Sequence, residues 1–368
     1  MSAVPAAPGV ADGPAPITVA FDALGAEAGP DAVVEGVGMA VGDGVRVRVF
    51  GRTAELESLR SISGVELVEA TDSIGNDAEP VRAVRSRPDA SIVLAATDVA
   101  AGRSQALASP GSTGATMTAA LLALKRIRSV QRPALAVQLP APGRQLPLLL
   151  LDVGANSEAR ASHLVQFAHL GAAFAEAVLG VERPRVAMLS VGSESKKGSA
   201  MVVEAHAQLA ESTTLNFRGN VEGRDLLDPA ADVVVTDGFT GNVVLKTVEG
   251  TASAVAEAVR RAARSGLRSG AGGLLLRPAL GSLREGMDPD TTGGAILLGL
   301  RGVAVVGHGS AGPRGIANQI TLAARTVSER AVERTEELLE RSGVGRRELR
   351  DESREHVPVS PATASPES

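Results

Sequence analysis

The sequence predicts an α/β protein with a largely parallel sheet, and three observations carry that expectation. Most of its short apolar runs are dense in Val, Leu and Ile and do not alternate with polar residues, the pattern of strands covered by helices on both faces. Stretches of helical periodicity lie between those runs, and alternating β and α builds a parallel sheet through right-handed crossovers. The stretch 232–250, DVVVTDGFTGNVVLKTVEG, passes from an apolar run into a helical pattern through a glycine-bearing turn. Open α/β proteins hold ligands at such junctions.

The elements follow in order. Ile17–Asp22 opens as a strand, and Val45–Phe50 and Val65–Val68 are compact apolar runs after it. Gly36, Gly38 and Gly42 sit inside a helical stretch well past the first strand–loop junction, so their spacing does not make a dinucleotide fingerprint. Ser91–Ala95 is expected as a strand, Thr113–Ile127 as a helix, Ala134–Leu139 and Leu148–Asp152 as strands, and Ser162–Leu179 as a helix. The strand Arg185–Val191 hands over to the helix Ser199–Ala210 through Gly192–Gly198, GSESKKG. Its lysines precede the closing glycine, which departs from the order of a nucleotide-triphosphate loop. Thr214–Arg218 and Asp232–Thr236 lead to the helix Asn242–Arg264, Gly302–Gly307 is the last strand, and Pro313–Leu339 reads as one long helix.

Composition narrows the function classes. With 368 residues and 44% hydrophobic content, the chain can bury a substantial core as one large α/β domain or two smaller ones. Aromatics are 2% with no Trp or Tyr, so the core is built from Ala, Val and Leu, and stacking on nucleic-acid bases is disfavoured. A net charge of −5 argues against nucleic-acid binding. The absence of Cys removes disulfides, thiolate metal sites and a cysteine nucleophile together, and a reducing cytoplasm is the simplest home. Met1–Pro16 lacks the basic start and apolar run of a signal peptide and is expected to be disordered. Residues 17–341 form the expected folded region, and 342–368, charged and then Ser- and Pro-rich, a second tail. No apolar stretch reaches membrane-spanning length.

Polar groups gather at predicted strand ends: Asp22, Asp98, Asp152 with Asn156, Glu194 with Lys197, Asp237 with Asn242, and His308 with Ser310. In an open parallel sheet those ends share one edge and can converge on a crevice; alternatively, such Asp residues simply cap helices. Arginine fills nearly every basic position, and the only lysines are Lys125, Lys196, Lys197 and Lys246. A compact ammonium and a planar guanidinium differ at a phosphate, so the lysines in motif segments are candidates for an anion. The loop Gly192–Gly198 offers backbone donors and two lysines with Ser199 as a cap; the turn before the long helix adds Thr240, Asn242 and Lys246. Gly111–Gly114, GSTG, places Ser112 and Thr113 at a helix start. His308 either protonates a departing group, binds an anion, or bonds to loop backbone. His163, His169 and His206 have no metal-ligand spacing and read as structural. GHGSA is not the nucleophile elbow. In the stretch 260–283, Arg260, Arg261, Arg264 and Arg268 flank Leu274, Leu275 and Leu276. Leucines among arginines suit an anionic lipid surface, an acidic protein partner, or a hairpin that meets a second copy.

Taken together, ITVAFDALGAEAGPDAVVEG, GSTGATM, LLDVGAN, HLVQFA, AEAVLG, GNVEGRDLL, DGFTGNVVLK, GGAILLGLRG and HGS, in this order between Ile17 and Thr326, resemble the fatty acyl-acyl-carrier-protein:phosphate acyltransferase family of phospholipid synthesis. The resemblance implies a Rossmann-like three-layer sandwich akin to the isocitrate dehydrogenase-type fold, with a helical hairpin extension at about 250–290. It implies acyl transfer from acyl carrier protein to inorganic phosphate, without metal or nucleotide cofactor, by a homodimer attached peripherally to the membrane from the cytoplasm. Lys197, Asn220, Asn242, Lys246 and His308 are then the catalytic candidates. Asp22, Ser112, Thr113, Asp152, Asn156, Glu194, Asp237, Thr240 and Ser310 are the substrate-binding candidates, and Arg260, Arg264 and Leu274–Leu276 the membrane or carrier contacts. Two departures stand out: Ser112 replaces a family asparagine, and Ser193 and Lys196 alter the family's acidic, glycine-containing loop. Alternatives are a short-chain phosphate acyltransferase using coenzyme A and a weakened paralogue that only binds carrier protein or membrane.

Overall fold

The computed structural model describes residues 16–140, 146–227, 230–264, 266 and 289–344. Eleven strands among these residues form one sheet: β1 (Thr18–Asp22), β2 (Arg46–Gly51), β3 (Val65–Glu69), β4 (Ala106–Ser109), β5 (Ala134–Leu139), β6 (Leu148–Leu151), β7 (Arg185–Leu189), β8 (Asn216–Val221), β9 (Val233–Val235), β10 (Ala295–Leu298) and β11 (Val303–Val306). Their order across the sheet is β3-β2-β1-β4-β11-β10-β5-β6-β9-β7-β8. Seven of the ten described pairings are parallel; β11–β10, β10–β5 and β5–β6 are antiparallel.

The helices are α1 (Pro30–Gly42), α2 (Pro80–Ser86), α3 (Ser91–Ala100), α4 (Thr113–Leu124), α5 (Ala161–Ala177), α6 (Ala200–Ala210), α7 (Gly238–Ala263), α8 (Pro313–Ser328) and α9 (Ala331–Ser342). Several begin where their sequence dictates. Glu79 accepts the Val81 and Arg82 N–H groups ahead of α2, Ser112 caps α4, and Asp237 caps α7 through the Thr240 N–H. Helices α1, α5, α6, α8 and α9 bury their apolar stripes against one sheet face. Helices α2, α3 and α4, with the start of α7, cover the other. Strand residues alternate between the two faces: Leu149 and Leu151 point to the first, Leu148 and Leu150 to the second. The result is the expected three-layer sandwich with two cores.

Four expectations need correction. Ser91–Ala95 is not a strand but the first half of α3; a five-residue apolar run does not distinguish a buried strand from a buried helix turn. Asp98 therefore lies on a helix, buried against Arg48 at 3.2 Å, Arg103 at 2.6 Å and Ser104 at 2.7 Å, and at no strand end. The stretch Pro313–Leu339 is two helices, broken at Arg330 with φ 52. The fourth is topological. With three antiparallel pairings at its centre, the sheet consists of two parallel blocks running in opposite directions. The carboxyl ends of β1, β4 and β11 lie on one edge, and those of β6, β9, β7 and β8 on the opposite one. The sequence reading also missed β4 and β10, both four-residue strands containing small residues.

α7 runs on as a helix to Ala263, and its second half is exposed, with Val255 and Val259 at 57% and 40%; most of the hairpin expected at about 250–290 lies outside the described residues. Arg260 and Arg264 are on that exposed stretch. Arg268 and Leu274, Leu275 and Leu276 lie outside the described residues. No described helix is long and apolar enough to cross a membrane.

Candidate active site

The second face of the sheet is left uncovered between α4 and α7, above β10 and β5. A cavity of about 600 Å³ opens there. One end receives the turns after β4 and β11: Gly111 and Thr113 at the start of α4, and His308, Gly309 and Ser310. α7 forms the opposite wall with Asn242, Leu245, Lys246 and Val248, and the floor is Leu135, Val137 and Leu139 of β5 beside Ala295 of β10. Of the catalytic candidates, the cavity thus takes Asn242, Lys246 and His308; of the binding candidates, Thr113 and Ser310. Lys246 Nζ is 2.8 Å from Glu249 Oε2 one helical turn on. Ser310 Oγ is 3.3 Å from His308 Nδ1. Glu27 and Asp290 bring negative charge to the same end.

α7 reaches this wall because its first turn carries no side chains where it meets β6. A Cβ on Gly241 would lie 1.9 Å from the Asp152 carbonyl oxygen, and one on Gly238 would lie 2.5 Å from that of Asn156. The GFTG turn therefore sets the close approach that places Asn242 and Lys246 over the cavity. Asp237 and Thr240 serve this junction: Asp237 accepts from the Thr240 N–H at 2.9 Å and from its hydroxyl at 2.7 Å. For Asp237 the capping alternative is the observed one.

Two buried carboxylates organise the walls. Asp152 Oδ1 accepts the N–H groups of Leu135 (2.9 Å), Gly154 (3.2 Å) and Ala155 (3.0 Å). Its Oδ2 accepts the Asn156 N–H (2.7 Å) and side-chain amide (2.8 Å), and Asn156 also donates to the Pro133 carbonyl. Burial pushes the Asp152 carboxyl above its ordinary value, and the hydrogen bonds from Ala155, Asn156 and Leu135 oppose that shift. On the other wall, Asp22 accepts the hydroxyls of Ser91 (2.5 Å) and Ser109 (2.8 Å), and burial raises its pKa as well. Ser109 Oγ in turn accepts the Gly111 N–H and the Thr116 hydroxyl, both at 3.1 Å. Asp22 thereby holds the GSTG turn through one intermediary, while Ser112 accepts the Ala115 N–H as the cap.

Lys197, Glu194 and Asn220 lie outside this cavity, at the carboxyl ends of β7 and β8. Lys197 and Glu194 are exposed. Asn220 is 7% exposed and donates to the Glu194 carbonyl at 2.9 Å, while its Oδ1 has no partner among the described residues. The sequence reading missed the apolar floor and the acidic pair Glu27 and Asp290. Nothing in β5 taken alone marks Val137 as uncovered; that follows from where α4 and α7 leave the sheet.

The three helical histidines have structural partners. His163 Nδ1 accepts the Arg160 N–H at 3.2 Å, His169 Nδ1 pairs with the Val165 carbonyl at 2.9 Å, and His206 meets Phe217 edge to face. Burial, aided by Arg132 and Arg160, lowers the His163 pKa from 6.5 to about 4. A depressed folded value means that stability is intact above 6.5 and is lost as pH falls toward about 4, because the unfolded chain takes up a proton that the folded one refuses. His163→Gln should therefore narrow the gap between melting temperatures measured at about pH 7 and about pH 4.5; an unchanged gap would contradict this. Among the described residues no group of three or more His, Asp or Glu side chains could hold a metal ion.

A crevice on the sheet face that joins a helix start, a lysine and a histidine to an aliphatic floor marks this as an α/β protein with a cavity at once polar and apolar. More particularly, the chain belongs to the fatty acid synthesis protein family, whose sequence model matches residues 17–334. It is 42% identical over 331 residues to a phosphate acyltransferase of Bacillus licheniformis, covering 88% of this chain and 98% of that protein. It is also 42% identical over 315 residues to one from Lactococcus lactis, covering 82% and 92%. Among solved structures it is similar to a branched-chain phosphotransacylase from Enterococcus faecalis, with TM-score 0.55 and 17% identity over 84% of this chain and 99% of that one. A phosphotransacetylase from Staphylococcus aureus gives TM-score 0.54 and 19% identity over 84% and 94%. At these identities the likeness to the two structures is one of fold.

Proposed function

We propose that this chain is a phosphate acyltransferase that moves a long-chain acyl group from acyl carrier protein to inorganic phosphate. Family membership and relatives of that name over most of the chain support the reaction. The observation that carries the site is the meeting of Lys246, His308 and the α4 start in one cavity with an apolar floor.

The chemistry asks little of the protein beyond placement. Near neutral pH phosphate is partly dianionic and attacks the thioester carbonyl carbon itself. A C–O bond forms and the C–S bond breaks; the proton of hydrogenphosphate ends on the departing thiol, whose pKa of about 8.5 makes it a good leaving group. Acyl phosphate and free thiol are the products. The site's work is to align the reactants and stabilise the developing oxyanion. Lys246 supplies positive charge from α7, the first N–H groups of α4 supply donors, and His308 stands where it can donate to phosphate or thiol. Asp22 and Asp152 position these groups; both are saturated with donors and are not bases. Ser112 is used as a cap, so its replacement of the family asparagine leaves the backbone donors in place.

Lys196 and Lys197, exposed at the opposite sheet edge beside Asn220, are assigned to the acidic carrier protein. The exposed apolar half of α7 is assigned to pairing with a second copy, and Arg260 and Arg264 to an anionic surface, membrane or carrier, reached from the cytoplasm.

The test supplies the purified protein with phosphate and acyl carrier protein thioester. Acyl phosphate, trapped as its hydroxamate, should accumulate in step with free thiol. Faster reaction with a short-chain coenzyme A thioester would favour the alternative donor, and binding without product would refute the enzyme.

A further inference from the structure

Val137 and Ala295 face each other across the β5–β10 pairing in the middle of an eleven-stranded sheet. Central strand residues of a three-layer sandwich are normally covered, and Leu135, Leu139 and Leu297 on the same face are buried. Val137 and Ala295 are only half-buried, because α4 packs on β11 and α7 touches the sheet at β6, leaving the strands between them open. This apolar strip is open to the cavity and continuous with the Lys246 and His308 groups. Its described lining contains no Trp, Tyr or Phe, so it offers aliphatic surface and no ring for a purine to stack on. From Leu139 to Leu135 the floor runs about 13 Å at strand spacing, long enough for about ten carbons of an extended hydrocarbon.

Resting on the proposed reaction, we infer that the hydrocarbon tail of the acyl donor lies in this trough, along β5 beneath Leu245 and Val248 of α7, and that Val137 and Ala295 set the chain length accepted. The thioester carbonyl then sits at the His308 and Thr113 end, beside the phosphate. The tail runs toward Leu135. Each methylene that finds apolar surface raises affinity about fourfold, so the floor discriminates long donors from short ones, and small side chains at its centre are what leave the trough open. A bulkier residue there blocks the far part of the tail and not the reacting carbonyl.

The test compares kcat/KM for palmitoyl and octanoyl carrier-protein thioesters in the full chain. Ala295→Phe and Val137→Phe should each lower the palmitoyl-to-octanoyl ratio by about tenfold or more, given the discrimination that a few methylenes allow. Leu122→Phe, on the exposed side of α4 and outside the cavity, should leave the ratio unchanged. Val137→Ala removes bulk and needs no repacking, so it serves if the larger side chains prevent folding; it should move the preferred length upward. A ratio unmoved by every folded floor variant, or an equal loss with both donors, would overturn the assignment of the trough. If wild-type protein forms no acyl phosphate from either donor, the reaction itself falls instead, and the two failures are distinct.

Discussion

Asp152→Ala is expected to lower the melting temperature by about 6 °C and to abolish acyl-phosphate formation in what remains folded. The carboxylate is fully buried and accepts five N–H donors from four residues. Removing it leaves those donors without a partner, each at about 1–3 kcal/mol where water does not reach. Even with partial rescue by water, a total near 4 kcal/mol is a large share of the roughly 5–15 kcal/mol that holds a domain together. At about 1.5 °C per kcal/mol, from about 2.1 cal/mol/K of unfolding entropy per residue over a folded region of this size, that gives the stated shift. The functional loss has a separate origin. The backbone of Asp152 is the surface against which Gly241 packs, so a turn that relaxes here releases α7 and with it Asn242 and Lys246. Gly241→Ala attacks the same contact from the other side and should reproduce the loss of activity. Thermal unfolding by circular dichroism, with activity assayed well below the midpoint, checks both; a midpoint within about 2 °C of wild type would show that the carboxylate is not the hub its hydrogen bonds make it.

That hub also shows how far the sequence could be read. LLDVGAN and DGFTGNVVLK announce a strand end and a helix start, and the structure places them against each other: Asp152, Asn156 and the two glycines of the turn make one interlocked joint. Apolar runs flanked by turn residues marked the long strands and the capped helices, because local chemistry fixes those. Direction was not legible. Whether a buried strand runs up or down depends on which partner it finds: β10 is antiparallel to both its neighbours, so β5 keeps the direction of β11, and the antiparallel β5–β6 pairing then reverses β6, β9, β7 and β8. The β5–β6 reversal is why Lys197 and Asn220 are on the edge opposite His308, although each is at a strand end as expected. α3 was misread for a related reason: IVLAA is equally good as a strand or as the buried face of a helix, and the residue before it, Ala90, is itself extended and bridged to Asp72. The acyl trough is the extreme case, a feature made of what two helices fail to cover.

Lys246→Met is expected to reduce kcat/KM for phosphate by about 100-fold, the loss found when one preorganised donor to a developing anion is removed. Met keeps the unbranched stem and the helix propensity of the site, so α7 and its packing should survive and the melting temperature should stay within about 2 °C, since a surface ion pair such as that to Glu249 contributes less than about 1 kcal/mol. Arginine should restore the charge without the compact head, and partial rescue by Lys246→Arg would show that charge more than shape is used. The companion variant Lys197→Met separates the two lysine-bearing segments. If Lys197 guides the acidic carrier protein from the far edge, its loss should raise KM for the carrier thioester severalfold, more at low salt than at high, with little change in KM for phosphate. The opposite pairing, phosphate affinity lost with Lys197 and kept without Lys246, would move the anion out of the cavity to the turn after β7, and the proposed alignment of tail, carbonyl and phosphate would have to be abandoned with it.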